Sequence, residues 1–146
     1  MHPAPQLERE RATFLQQRFR DGVRRVPEYA LIRRALMGVA KGTLVIPPED
    51  PKARELRTMV AVGQTYALPV RLHVMRARCC HENVDELFRD KGYDFGTGWA
   101  YTEDDGLWRQ HSWAFDGDTI VETTTPRDIY WGARLPRAML PGAEEK

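Results

Sequence analysis

Three extended stretches crowd the second half of this chain: GTGWAYTE (96–103), LWRQHSWAF (107–115) and TIVETTT (119–125), with only EDDG and DGD to turn between them. Strands joined by so few residues have to run antiparallel, because a parallel neighbour needs a crossover of a dozen residues or more. Asp-Gly steps between apolar runs are the short-range signal of a hairpin. This part of the chain is read as an antiparallel meander. The tail that follows, RDIYWGARLPRAMLPG, is aromatic and marked by proline, and is expected to pack back onto the sheet before the chain frays at AEEK.

The first half has a different period. Leu7, Phe14, Leu15, Phe19 and Val23 recur at the spacing of one helix face, with Asp21-Gly22 as the expected stop. Pro27 suits the first turn of a second helix, with Ile32, Ala35, Leu36 and Val39 as its apolar face and Gly42 just past its end. GTLVIPPEDP breaks the pattern with a short extended piece. Asp50-Pro51 then reads as a cap and first turn, opening a third helix that carries Leu56, Met59 and Val60. LPVRLHVMRAR alternates Val70, Leu72 and Val74 with Arg71, His73 and Met75, the pattern of a strand or an extended lead-in. HENVDELFRDKG returns to helical spacing, with Val84, Leu87 and Phe88 on one face and Gly92 as its stop. Helices, then a lone helix, then a small antiparallel sheet argue for an α+β fold rather than a parallel doubly wound one. At 146 residues this is read as one domain: a helical part over 1–68, the cysteine-bearing helix and sheet over 69–135, and a tail over 136–146.

With 42% apolar residues the chain has too much to bury for a disordered segment. No apolar run is long enough to span a membrane, and MHPAPQLERERATF lacks the apolar core of a secretion signal. A cytoplasmic protein with reduced Cys79 and Cys80 is expected. Charge is uneven: residues 1–41 hold nine basic and four acidic side chains, residues 82–122 three and eleven. The basic part raises the question of nucleic acid. Its arginines, however, punctuate amphipathic helices as solvated faces do, and no recognised module accompanies them.

The stretch RARCCHENVDELF carries the chemistry. Cys80 falls at the start of the helix that begins near His81, where unpaired N–H groups and the helix dipole favour a thiolate. A nucleophilic cysteine also needs a base, and the base needs something to orient it. His111 lies mid-strand between Trp108 and Trp113, and Glu122 lies in the next, otherwise apolar strand, where a buried carboxylate requires a partner. A turn centred on Gly117 would set His111 and Glu122 on opposite faces, whereas an Asp116-Gly117 loop would set them directly opposite each other. Cys79 is read as a small buried hydrophobe, and His73 and His81 as surface residues. Cys79, Cys80, His81 and His111 are soft ligands in number, but adjacent ligands strain a single ion, so neither a metal nor a cofactor is expected.

Taken together, Cys80-x-x-Asn83, the Gly98-Trp99-Ala100 strand, His111-x-Trp113 and Glu122-x-Thr124 resemble a set of small, largely uncharacterised bacterial and phage-encoded proteins. The pattern of that set runs Cys-x-x-Asn, Gly-Tyr/Trp-Ala, His-Ala/Ser-Trp, Asp-x-Thr. The order of cysteine, histidine and acid on helix, strand and strand also resembles the papain-like and transglutaminase-like superfamily of peptidases, deamidases and acyltransferases. The match runs from Cys80 to about Leu135, and the N-terminal helices resemble no family. The resemblance implies a papain-like core with Cys80 as nucleophile, His111 as base and Glu122 where the pattern more often has Asp. It gives Asn83 the role of holding the active-site loop or donating to an oxyanion, with the Cys80 backbone N–H as the other donor. Gly98, Trp99 and Trp113 would line the cleft. The implied reaction is acyl transfer on a peptide-like or small amide or ester: hydrolysis, deamidation or transamidation. Two other readings stay open: a non-catalytic binding or accessory protein of phage or host-defence type, and a nucleic-acid-associated factor using the arginine-rich helices.

Overall fold

The two periods settle into helices and a sheet in a computed structural model, which describes residues 5–135. In chain order the elements are α1 (Pro5–Arg25), α2 (Tyr29–Met37), β1 (Thr43–Leu44), α3 (Ala53–Val62), β2 (Gln64–Thr65), β3 (Val70–Leu72), α4 (Cys80–Lys91), β4 (Asp94–Thr102), β5 (Leu107–Asp116), β6 (Thr119–Glu122) and β7 (Ile129–Leu135). The side chain of Leu7 and the expected tail over 136–146 lie outside the described residues.

Several boundary residues do other work than the pattern suggests. Gly22 does not stop α1; it sits inside the helix, where an added Cβ would lie 3.1 Å from Ile46 Cγ1. It lets the helix approach the segment after β1. Gly38, not Gly42, follows α2. A Cβ at Gly42 would come 2.6 Å from the Gly106 carbonyl oxygen, so that glycine admits β1 to the turn between β4 and β5. Asp50 is not the cap of α3, which Lys52 precedes; its carboxylate accepts from the Arg25 guanidinium and the Tyr29 hydroxyl, both at 2.8 Å. Gly92 does end α4, in the left-handed conformation (φ 72°), with its N–H donating to the Phe88 carbonyl.

The sheet is mixed rather than purely antiparallel, which corrects the expectation. Its order is β2-β7-β4-β5-β6-β3, and β1 lies beside β5. The meander β4-β5-β6 is antiparallel, but β1 runs parallel to β5 and β3 parallel to β6. One detail positions the site. Along one edge of β5, β1 occupies Leu107 and Trp108, and β6 occupies Ala114 to Asp116. Between them neither β1 nor β6 pairs with β5, and His111 is in the middle of that gap.

Alternation along β5 divides the interior. Trp108 shares a face with Trp99 and Trp131, and this face buries Tyr29, Ile32 and Leu36 from α2 and Leu56 from α3. Farther along the same face, Val84 and Leu87 of α4 cover Phe95, Ala114 and Val121. The opposite face gathers Trp113, Phe115, Ile120, Ala100 and Tyr130 under Tyr66 and Leu68. Each large apolar side chain buried in this way contributes roughly 1.5–3 kcal/mol. Trp108 is also satisfied at its polar end, donating from Nε1 to the Ala40 carbonyl at 3.0 Å. Phe14, expected on the inner face of α1, is 59% exposed instead. Among the described residues no helix is long and apolar enough to cross a membrane.

Candidate active site

Cys80 is the first residue of α4 and Cys79 its cap. The turn that delivers them passes through Arg78, the one non-glycine described residue with positive φ, at 60°. Asn83, buried one turn into the helix, donates from Nδ2 to the Arg76 carbonyl at 2.8 Å and to Thr123 Oγ1 at 3.3 Å. It therefore ties the approach loop and the helix start to the end of β6. The same loop is held by two backbone bonds, from His73 N–H to the Glu122 carbonyl and from Met75 N–H to that of Thr123. Of the two roles expected for Asn83, the geometry gives it the holding of the loop.

His111 and Glu122 meet on one face, although not through the loop counted from the sequence. The hairpin loop is Gly117-Asp118, one residue later than Asp116-Gly117, with Asp116 opposite Thr119. Gly117 takes the positive φ (59°) that a two-residue hairpin loop demands at its first position. Moving the loop by one residue changes the register by two, and a shift of two preserves the face. Continuing the ladder beyond Ala114 and Val121 sets Glu122 beside Trp113 and diagonal to His111. His111 Nε2 lies 2.8 Å from Glu122 Oε1, with both side chains almost fully buried.

The carboxylate is saturated. Oε1 also accepts from the Tyr130 hydroxyl at 2.7 Å, and Oε2 accepts from the Thr124 N–H and the Thr124 hydroxyl, both at 2.9 Å. Four bonds on four lone-pair positions are what a buried carboxylate needs in order to stay ionised. Burial alone would raise the Glu122 pKa; the bond to His111, its charge, and the Thr124 and Tyr130 donors outweigh burial and hold it below the ordinary range. Tyr130 is held protonated, first by burial and then by the Glu122 charge. Removing its hydroxyl by Tyr130→Phe is expected to cost roughly 1.5–3 kcal/mol, as one hydrogen bond to a buried charge. Urea denaturation of the two proteins at equal pH measures it.

With Nε2 committed to Glu122, the Nδ1 side of the ring is left for Cys80. Burial pushes the thiol up, but the neighbouring His111 imidazole, its charge and the Ser112 backbone N–H overcome it and bring the thiol below its ordinary value. That Ser112 N–H belongs to the stretch of β5 that β1 and β6 leave open. The imidazole moves the opposite way: burial lowers it, whereas Cys80 and Glu122 together raise it above 6.5. Each group is thus moved toward its charged form, the thiol easier to deprotonate and the imidazole easier to protonate than when free.

The sulfur and the ring open onto a cleft of about 590 Å³, whose walls include Arg78, Arg109, Arg127 and Thr124. Gly98, Trp99 and Trp113 do not line it, contrary to expectation. Trp99 is in the core against α2 and α3, Trp113 is in the core of the opposite face, and Gly98 is covered between His111 and Gly132 on the neighbouring strands. These indoles are too apolar to leave at a wet wall when two faces of a sheet need filling. His81 packs on Phe95 with ring centres 5.0 Å apart, His73 is exposed, and Cys79 is half-buried and free. Among the described residues no three His, Cys, Asp or Glu side chains group so as to hold a metal ion. Comparison with known proteins finds no matching family model, curated sequence or solved structure.

Proposed function

We propose that this protein is a cysteine-dependent acyl-transfer enzyme acting on an amide or ester, with a papain-like arrangement of Cys80, His111 and Glu122. One observation carries the reading: a thiol at a helix start and an imidazole line the same open cleft, and that imidazole is anchored from behind by a fully hydrogen-bonded carboxylate. The thiolate sulfur attacks the carbonyl carbon; a C–S bond forms and the π electrons move to oxygen. The Cys80 backbone N–H, at the first helical position where no intrahelical acceptor exists, donates to that oxyanion. As the C=O re-forms, the leaving amine or alcohol departs with the proton from His111. Water or an amine, deprotonated by His111, then attacks the thioester and returns the thiol. Glu122 fixes the ring orientation and stabilises its charged form throughout.

Iodoacetamide labelling tests this without a substrate. At pH 6.5–7, Cys80 is expected to react about tenfold faster than a free thiol, since its thiolate persists where an ordinary thiol is protonated. His111→Ala is expected to return Cys80 to the free-thiol pH profile, with mass spectrometry separating it from Cys79. A Cys80 rate no faster than that of a free thiol, and indifferent to His111→Ala, defeats the proposal.

A further inference from the structure

Acyl transfer does not by itself call for positive charge in the cleft, yet Arg78, Arg109 and Arg127 all line it. No Asp or Glu among the described lining residues balances them. Arg109 is partly compensated, with Nη2 2.7 Å from Asp105 Oδ2. Arg127 makes no direct ion pair among the described residues: its Nη2 reaches the Thr124 hydroxyl at 3.3 Å, which in turn donates to Glu122, and its buried Nε has no partner among the described residues. Arg78 stands exposed at the turn into α4 and makes no ion pair among the described residues.

We infer that the acyl donor for this cleft carries an oxyanion, a carboxylate or a phosphate, near the carbonyl that Cys80 attacks, with Arg127 as its principal ligand. The inference rests on Cys80 being the nucleophile proposed above. A guanidinium offers parallel N–H donors that match either group, and Arg127 spends only one long bond, from Nη2 to Thr124, on the protein. Recessed between protein walls, the attraction exceeds that of a solvent-exposed pair. Arg78 and Arg109 add to the local potential.

The test compares alkylation of Cys80 by iodoacetate with that by iodoacetamide. Each reagent forms a C–S bond and expels iodide, so both read the same thiolate population. Their rate ratio therefore cancels that population and reports the local charge. In the wild type the ratio is expected to be about tenfold above that of a free thiol and to fall with added salt. The His111 imidazolium contributes to it, so the variants decide. Arg127→Gln is expected to lower the ratio about threefold or more and Arg127→Lys to retain most of it. Arg78→Gln, at an exposed position, is expected to lower it as well and keeps the test alive if Arg127→Gln fails to fold. Protection of Cys80 by succinate or by phosphate at matched ionic strength then tells which oxyanion fits. A ratio unchanged in both Gln variants, with no protection by either anion, overturns the inference. Fast iodoacetamide labelling would survive that result, whereas loss of fast labelling would instead defeat the catalytic reading.

Discussion

Glu122→Ala is expected to destabilise the protein by roughly 3–5 kcal/mol, because it removes one member of a buried charged network and strands the others. His111 Nε2, the Tyr130 hydroxyl and both Thr124 donors all converge on this carboxylate. Glu122→Gln is expected to cost less, about 1–3 kcal/mol, since the amide oxygen keeps two of those bonds while its NH2 meets the Thr124 N–H donor to donor. The two variants separate packing from charge. In both, His111 loses the carboxylate that raises its pKa, so Cys80 labelling near neutrality should slow towards that of an ordinary thiol. The pH dependence follows from the sign of the shifts. A carboxylate held below its unfolded value of 4.5 contributes stability above that value and loses it as the pH falls through the folded pKa. A histidine held above 6.5 contributes below that value and loses its contribution as the pH rises through the folded pKa. The network therefore supports the fold most strongly between these limits. The stability gap between wild type and Glu122→Gln, measured by urea denaturation, should narrow below pH 4.5. A gap of constant size across the acid range would show that Glu122 carries no differential charge.

Gly132→Ala should be the other costly change, through backbone rather than charge. Gly132 faces Gly98 across β4 and β7, and a Cβ there would sit 2.1 Å from the Thr97 carbonyl oxygen and 2.8 Å from Gly98 Cα. Neither neighbour is a flexible side chain, so β7 has to move away from β4. Overpacking of this kind costs roughly 1–3 kcal/mol or more. In a domain of this size that lowers Tm by about 2–4 °C per kcal/mol, which calorimetry can measure. Tyr130 lies two residues earlier on the same strand, so it shifts with β7 away from Glu122. The variant should therefore also slow Cys80 labelling, although Gly132 touches none of the three groups directly. A normal Tm together with normal labelling would mean that the two strands tolerate a wider spacing.

The parts of this site that are legible in the sequence are those set by local spacing. Cys80 can be placed at a helix start because Val84, Leu87 and Phe88 share one face and Gly92 ends it. His111 and Glu122 fall on one face because hairpin counting is forgiving: an error of one residue in loop position moves the register by two and leaves the face intact. The parallel partners are less legible. β1 and β3 are two and three residues long and have no turn to announce where they pair. Tyr130 is hidden for a similar reason, since its hydroxyl matters only through an eight-residue separation from Glu122 that crosses the sheet. The aromatics mislead in the other direction. Trp99 and Trp113 look suited to a groove, but α+β packing covers both faces of the sheet and draws them inward.

The two parallel pairings also govern how the molecule must assemble. Thr43 meets Leu107 and Val70 meets Ile120, partners 64 and 50 residues apart, and neither pair forms until a long stretch of chain has closed on itself. Closing such loops costs entropy before any contact rewards it, so these are late and slow events compared with hairpin closure. An early species can hold α4 and the β5-β6 hairpin as local structures, yet the loop that carries the sulfur reaches its seat only when β3 docks on β6. The surroundings of Cys80 are thus completed only when the 50-residue stretch between β3 and β6 has closed, a later event than closure of the β5-β6 hairpin.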